Sequence, residues 1–381
     1  MVGIIVSLVI AFSSSLYVYA DAESVVNIED IYNELYQLVG ADTLLDELSV
    51  EARQQLRQIG VTSPSWQQLN SLSFSEIFSS VLNTVQEQSI TPFNCVVKII
   101  GVILLVALIN SVKASIASSS LTAVLESVSV LCVSIILINP ISSTIEYSAT
   151  VIKLSADFML LFTPVMVAIM LAMGQSIQGA GSYTMVMGAG TAVSQISANL
   201  LSPLLNTFLG MSVVGGVSQR VKLSGFCELV NKVVKWVLTF VMSIFTTILT
   251  MQSIISASAD SAGTKATRFA INSFVPLVGG ALSEAYQTVR SCMGMLKSGV
   301  GVFAILATNI IYLPAITSCI LWLIAINIAV ALAEVFDMKQ IISLLKGIGV
   351  VVNSLVAILL CCMIIFIISS AIMLLVGGVA H

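Results

Sequence analysis

Five ionisable residues, Asp260, Lys265, Arg268, Glu284 and Arg290, fall within "ADSAGTKATRFAINSFVPLVGGALSEAYQTVR", residues 259 to 290, of a chain in which only 9% of residues are charged. Asp260 can cap a helix through its carboxylate, and Lys265 and Arg268, three residues apart, share a helical face. Pro276, Gly279 and Gly280 interrupt "INSFVPLVGGAL", an apolar run too short to span a bilayer. A re-entrant segment or half-helix is expected there, because polar groups at membrane depth are costly unless they face a cavity or a partner. An interfacial loop with basic anchors is the plainer alternative. Several Ser and Thr accompany Lys265 in residues 253 to 268, which leaves a Ser/Lys nucleophile-base pair open. A Ser/His/Asp arrangement is not open, since His381 is the single histidine.

Other constellations carry less. Gly188 and Gly190 in "GAGSYTMVMGAGTAVSQ" imitate a dinucleotide loop, but no strand precedes them and no acid follows in a βαβ unit. With Ala192 and Ser194, Gly188 instead suits close helix packing in lipid. No Walker A lysine motif occurs, so energy from ATP would have to come from a partner. The seven cysteines include no CxxC and no cluster with His or carboxylates, so neither a metal nor a cofactor is expected. Cys361 and Cys362, adjacent in an apolar helix, read as packing residues. Catalytic residues are not assigned, the chain is not read as an enzyme, and no nucleic-acid partner is implied.

The elements that hold these residues are membrane helices. With 57% hydrophobic residues and a mean hydropathy of +1.05, the chain is far more apolar than a soluble domain. Residues 95 to 113, 121 to 141, 154 to 174, 236 to 257 and 348 to 376 are candidate spans of about 20 residues or more. Residues 183 to 217 and 299 to 334 are too long for one comfortable span and carry Pro203, Gly210, Gly215, Gly216 and Pro314, so each is expected to be a broken helix or a tight helical pair. The total comes to six to nine spans. The expected fold is all-α: a polytopic helical membrane protein with broken or re-entrant helices and a small helical extracytoplasmic segment.

Three regions follow. Residues 1 to 20 read as a signal peptide cleaved after Ala20, or as an uncleaved anchor because the basic n-region is missing. Residues 21 to 92 form an acidic helical segment with 11 of the 19 acids and only Arg53 and Arg57 as bases. There Ile28, Ile31, Leu35 and Leu38 lie on one helical stripe ending at Gly40, and a second amphipathic pattern ends at Gly60. Residues 93 to 381 form the polytopic domain, with 13 basic and 8 acidic residues. With the acidic segment exported, the positive-inside rule puts Lys113, the basic 218 to 235 segment and Lys339 and Lys346 in the cytoplasm. A faint repeat pairs "ELVNKVVKWVLTFVMSIF" with "QIISLLKGIGVVVNSLVAIL", and Pro164 with Pro314.

The stretch from Asp260 to Gly301 resembles the signature of the stage III sporulation protein AE family, polytopic membrane proteins of endospore-forming bacteria. The matching positions include Asp260, Lys265, Arg268, Phe274, Pro276, Val278, Gly279, Ser283, Glu284, Thr288, Lys297, Val300 and Gly301. The resemblance implies a component of the channel between mother cell and engulfed forespore, in the mother-cell membrane around the forespore. It also implies partners: other stage III sporulation channel proteins, including ring-forming subunits and an ATPase. An export-gate-like or permease-like subunit is the expected role, with an independent secondary transporter and a scaffold anchoring the rings as rivals. The expected functional motif is Asp260, Lys265, Arg268, Pro276, Gly279, Gly280, Ser283, Glu284, Thr288 and Lys297.

Overall fold

The computed structural model describes residues 28–65, 68–69, 74–113, 119–196, 202–217 and 279–375, with scattered helical residues between 229 and 254. Residues 1 to 20, Asp260, Lys265, Arg268, Pro276 and part of the expected 236 to 257 span lie outside the described residues. Every regular element among the described residues is helical.

The chain enters through α1 (Ile28–Leu38), a 3-10 turn (Ala41–Leu45) and α2 (Val50–Gln58). Gly40 and Gly60 stop the amphipathic patterns as expected, with φ of 72° and 83° that a side chain with Cβ rarely adopts. Ser49 caps α2, its Oγ accepting from the Ala52 N–H at 3.2 Å. The inward face of α1 differs from the expected stripe. Leu38 is 76% exposed, while Val39 is buried and Tyr32, Leu35 and Tyr36 pack on the core. The extra residue comes from the turn at Gly40, which swings Val39 inward beneath Ala41, Leu44 and Leu45. The Tyr36 phenol is pushed above its usual value of 10.0 by burial first, then by Tyr32 and Asp42.

Six longer helices form the bundle: α3 (Phe74–Lys113), α4 (Ser119–Ala172), α5 (Ser176–Ile196), α6 (Ser202–Val217), α7 (Gly279–Val335) and α8 (Lys339–Leu375). Among the described residues, four of them, α3, α4, α7 and α8, are long and apolar enough to cross a membrane. Two expectations about spans are corrected. The separate spans at 121 to 141 and 154 to 174 are the two ends of the single 54-residue α4, which continues through Pro140 and Pro164. Residues 299 to 334 are neither broken nor a hairpin, but part of the 57-residue α7, with Pro314 inside it. Proline removes one backbone donor, and in a helix clamped along its length by neighbours this does not suffice to end it. Pro164 lies eight residues before the end of α4 and Pro314 twenty-one before the end of α7.

Two tight turns fold the long helices back. Gly174, at φ 78°, ends α4 with Gln175 N–H donating to Met170 O at 2.8 Å, and Asp337, at φ 49°, ends α7 with Met338 N–H donating to Ala333 O at 3.0 Å. Both are six-residue closures of the Schellman type, the second achieved with a non-glycine residue. After the first turn, α5 meets α4 at Gly179 against Val167 and Met170, and α6 meets it at Asn206 against Ser142. Thus α5 and α6 follow each other down α4 in one direction. The 183 to 217 region is the broken helix of the two alternatives, not the helical pair.

α7 runs antiparallel to α4, through Gly301 at Met166, Phe303 at Phe158 and Cys319 at Ser148. α8 runs back along α7, through Gly349 at Ile326 and Leu374 at Gly301. One end of the bundle therefore holds the 336–338 turn, the start of α4, and the ends of α3 and α6; the other holds the Gly174 turn and the start of α7. Lys113, Lys339, Lys346 and the residue before the basic 218 to 235 segment share the first end. The basic 218 to 235 segment itself lies almost wholly outside the described residues.

Candidate functional site

Near the Gly174 end, α7 turns Lys297 inward, where it is 2% exposed, and its Nζ donates to Gln175 Oε1 at 3.2 Å. Gln175 is itself buried, and the backbone closure after Gly174 fixes where its side chain starts. It stands between the C-terminus of α4 and the N-terminus of α5, whose dipole ends oppose each other there. One turn along α7, Gly301 allows three helices to meet: a Cβ would lie 2.9 Å from Leu374 Cδ1, and 3.2 Å from both Leu374 Cβ and Met166 Cε. The buried cation and the close approach are thus one junction of α4, α7 and α8, with α5 closing on α4 at Gly179.

Deeper along the bundle the polar side chains are mostly self-contained. Ser148, Thr163, Thr308, Ser354 and Ser369 each donate to the carbonyl four residues earlier, at 2.5 to 2.9 Å. Ser155 Oγ and Tyr312 OH interact across the α4–α7 contact but lie outside hydrogen-bond geometry, both buried. Trp322, Phe158, Phe162, Phe303 and Phe366 fill the space around them. Among the described residues this interior is packed with side chains. A groove of about 480 Å³ between α3 and α4 is lined by apolar residues such as Val102, Leu105, Ile109 and Val128, with Lys98 among them.

The charged face lies outside. Along the middle of α4, Ser143, Glu146, Thr150 and Lys153 are exposed and Asp157 is half-buried, at alternating steps of three and four that place them on one side. Across from it, α3 exposes Asn83, Gln86 and Glu87. The N-terminal elements pack on this bundle, α1 and α2 against α7, α2 also against α3, and the 3-10 turn against α4.

Of the expected motif residues, Lys297 is in the junction and Thr288 is half-buried nine residues before it on α7. Gly279 and Gly280, which interrupt the apolar run in sequence, stand at the start of α7, and Ser283 and Glu284 follow in its first turns. The half-helix expected over 269 to 283 lies mostly outside the described residues. Sequence reasoning missed Gln175 as the partner of Lys297 and the outward stripe on α4. The first was marked only by a glycine stop in "MLAMGQS"; the second was legible in the spacing of Glu146, Lys153 and Asp157.

Long apolar helices, two reversed turns and a buried intramembrane-type lysine define an all-α polytopic membrane protein. The chain belongs to the stage III sporulation protein AE family, whose model it matches over residues 62–377. It is 21% identical over 171 residues to Stage III sporulation protein AE of Bacillus subtilis (strain 168), an alignment that covers 45% of this chain and 43% of that protein. The match thus spans less than half of that relative's length. No solved structure matches.

Proposed function

We propose that the chain serves sporulation as an export-gate-like or permease-like subunit of the channel between mother cell and forespore, in the mother-cell membrane around the forespore. Ring-forming subunits and an ATPase of the same stage are its proposed partners. The observation that carries this reading is a filled interior combined with a charged exterior face on α4. A lone secondary transporter needs a polar site inside one chain, typically where helices are broken near the midplane. Here the described polar side chains divide between the outer face of α4 and the single buried Lys297–Gln175 junction, and the outer face is open to neighbours in an assembly. The same observation favours a scaffold that anchors the rings as the second reading.

The stretch 259 to 297 is its proposed functional centre, with Lys297 as the inner end. Glu284→Ala or Lys265→Ala should lower spore yield at unchanged protein abundance, and full yield from both would return the stretch to an interfacial loop. Affinity capture of the chain from sporulating cells tests the assembly. Specific recovery of ring subunits and the ATPase is expected; recovery of the chain alone, from gently solubilised membranes, overturns the channel reading in favour of an independent transporter.

A further inference from the structure

α3 is the least buried of the four long apolar helices, and it leaves a groove of about 480 Å³ where it lies beside α4. The gap follows from side-chain size. Gly101 of α3 has no side chain, and a Cβ there would meet nothing within 4 Å, while Ser129 and Cys132 on the α4 wall are short. The buried Val106 and Ser129 form the floor, and the mouth is open, since Leu105, Val128 and Cys132 are exposed.

Lys98 makes one end of this groove unlike the rest. It is the one charged residue of the lining, it is exposed, and none of the ion pairs among the described residues includes it. The α3 sequence changes character close by: "NTVQEQSITPFN", residues 83 to 94, is mostly polar, whereas "VVKIIGVILLVALI", residues 96 to 109, holds Lys98 as its single charge. From Lys98 to Ile109, at the far end of the lining, the helix rises ~16 Å, which is close to half of a hydrocarbon core of about 30 Å. The groove is thus one leaflet long.

An open apolar trough of that length, headed by a cation, is complementary to a lipid whose acyl chain ends in a negative headgroup. A helix from a second copy fits poorly. With a diameter of ~10 Å, a ~16 Å length of helix displaces roughly 1,200 Å³, more than twice the groove, and its apolar face would leave the Lys98 ammonium without a partner. We infer that the groove binds one phospholipid of net negative charge, with an acyl chain lying between Gly101 and Cys132 and the phosphate paired with Lys98. The surrounding bilayer is as apolar as the groove, so the chain itself gains little by entering. Selectivity comes from the charge pair, and room for the chain comes from the missing side chain of Gly101.

Native mass spectrometry tests this on the full chain, equilibrated in bilayers of equal parts phosphatidylglycerol and phosphatidylcholine and released in mild detergent. The wild-type chain is expected to retain one phosphatidylglycerol, about fivefold over phosphatidylcholine, the preference that one lysine near a headgroup supplies. Lys98→Gln should bring that ratio close to one. Gly101→Leu starts its side chain in open space and fills the groove, so retention of both lipids should fall while thermal melting in detergent is kept; Gly101→Val repeats the measurement if the leucine variant fails to fold. Equal retention of the two lipids by the wild-type chain overturns the inference, as does an unchanged ratio in Lys98→Gln. Undiminished retention in a folded Gly101 variant also overturns it, and so does a wild-type mass that shows a second copy in place of lipid. None of these outcomes depends on the channel reading.

Discussion

α4 and α7 are nearly equal in length, lie antiparallel, and each carries internal proline, yet they treat charge in opposite ways. α4 sends Glu146 and Lys153 outward, while α7 turns Lys297 into the junction with Gln175. The reason is angular. In a helix of 3.6 residues per turn, Glu146, Thr150, Lys153 and Asp157 stay on one side, opposite the Ser148, Ser155 and Phe158 face that meets α7. Lys297 lies one turn from Gly301, and so shares the most closely packed face of its helix. The contrast teaches that in a chain this apolar the position of a charge around the helix, more than its presence, separates a solvated surface from a buried site.

The largest expected effect breaks the α7 side. Gly301→Leu must displace Leu374 and Met166, and overpacking of this kind costs about 1–3 kcal/mol or more. Sharply reduced abundance and loss of a cooperative thermal transition in detergent are expected; wild-type melting would mean that α8 does not close on α7 there. Lys297→Met comes next and sharpens the comparison, because it keeps the volume while removing the charge. Since a buried charge carries a desolvation cost, its melting temperature should hold or rise. Spore yield should fall at normal abundance, and full yield would assign Lys297 to packing alone.

Smaller effects are expected in the N-terminal helices, where capping and burial act on a modest scale. Ser49→Ala removes the α2 cap and should cost roughly 1 kcal/mol, read as faster amide exchange over residues 50 to 58 with the bundle unchanged. Alkaline titration gives a second check. Because the folded Tyr36 phenol is raised above 10.0, the folded state keeps a proton that the unfolded state releases, so stability is intact below pH ~10 and falls as pH rises beyond it. Tyrosinate absorbance should lag behind an unfolded control, and Tyr36→Phe should remove part of that alkaline sensitivity. A titration matching the free residue would place Tyr36 in water.

The comparison also explains what could be read from sequence. Gly40 and Gly60, the amphipathic runs between them, and the apolar cores of α3 and α8 were legible because each signal is local. The continuity of α4 through Pro140 was not, since it depends on α5, α6 and α7 clamping the helix on its inner sides. Lys297 was found through its setting beside Gly301 in the family signature, but Gln175 is 122 residues away and no spacing rule reaches it.

The late position of α8 has a consequence for how the molecule is made. Both members of the Lys297–Gln175 pair leave the ribosome before any of α8, and chains generally fold N-terminal parts first. Leu374, which closes over Gly301, is translated 73 residues after it. A nascent chain therefore holds its inward lysine at an open seam until α8 has been made.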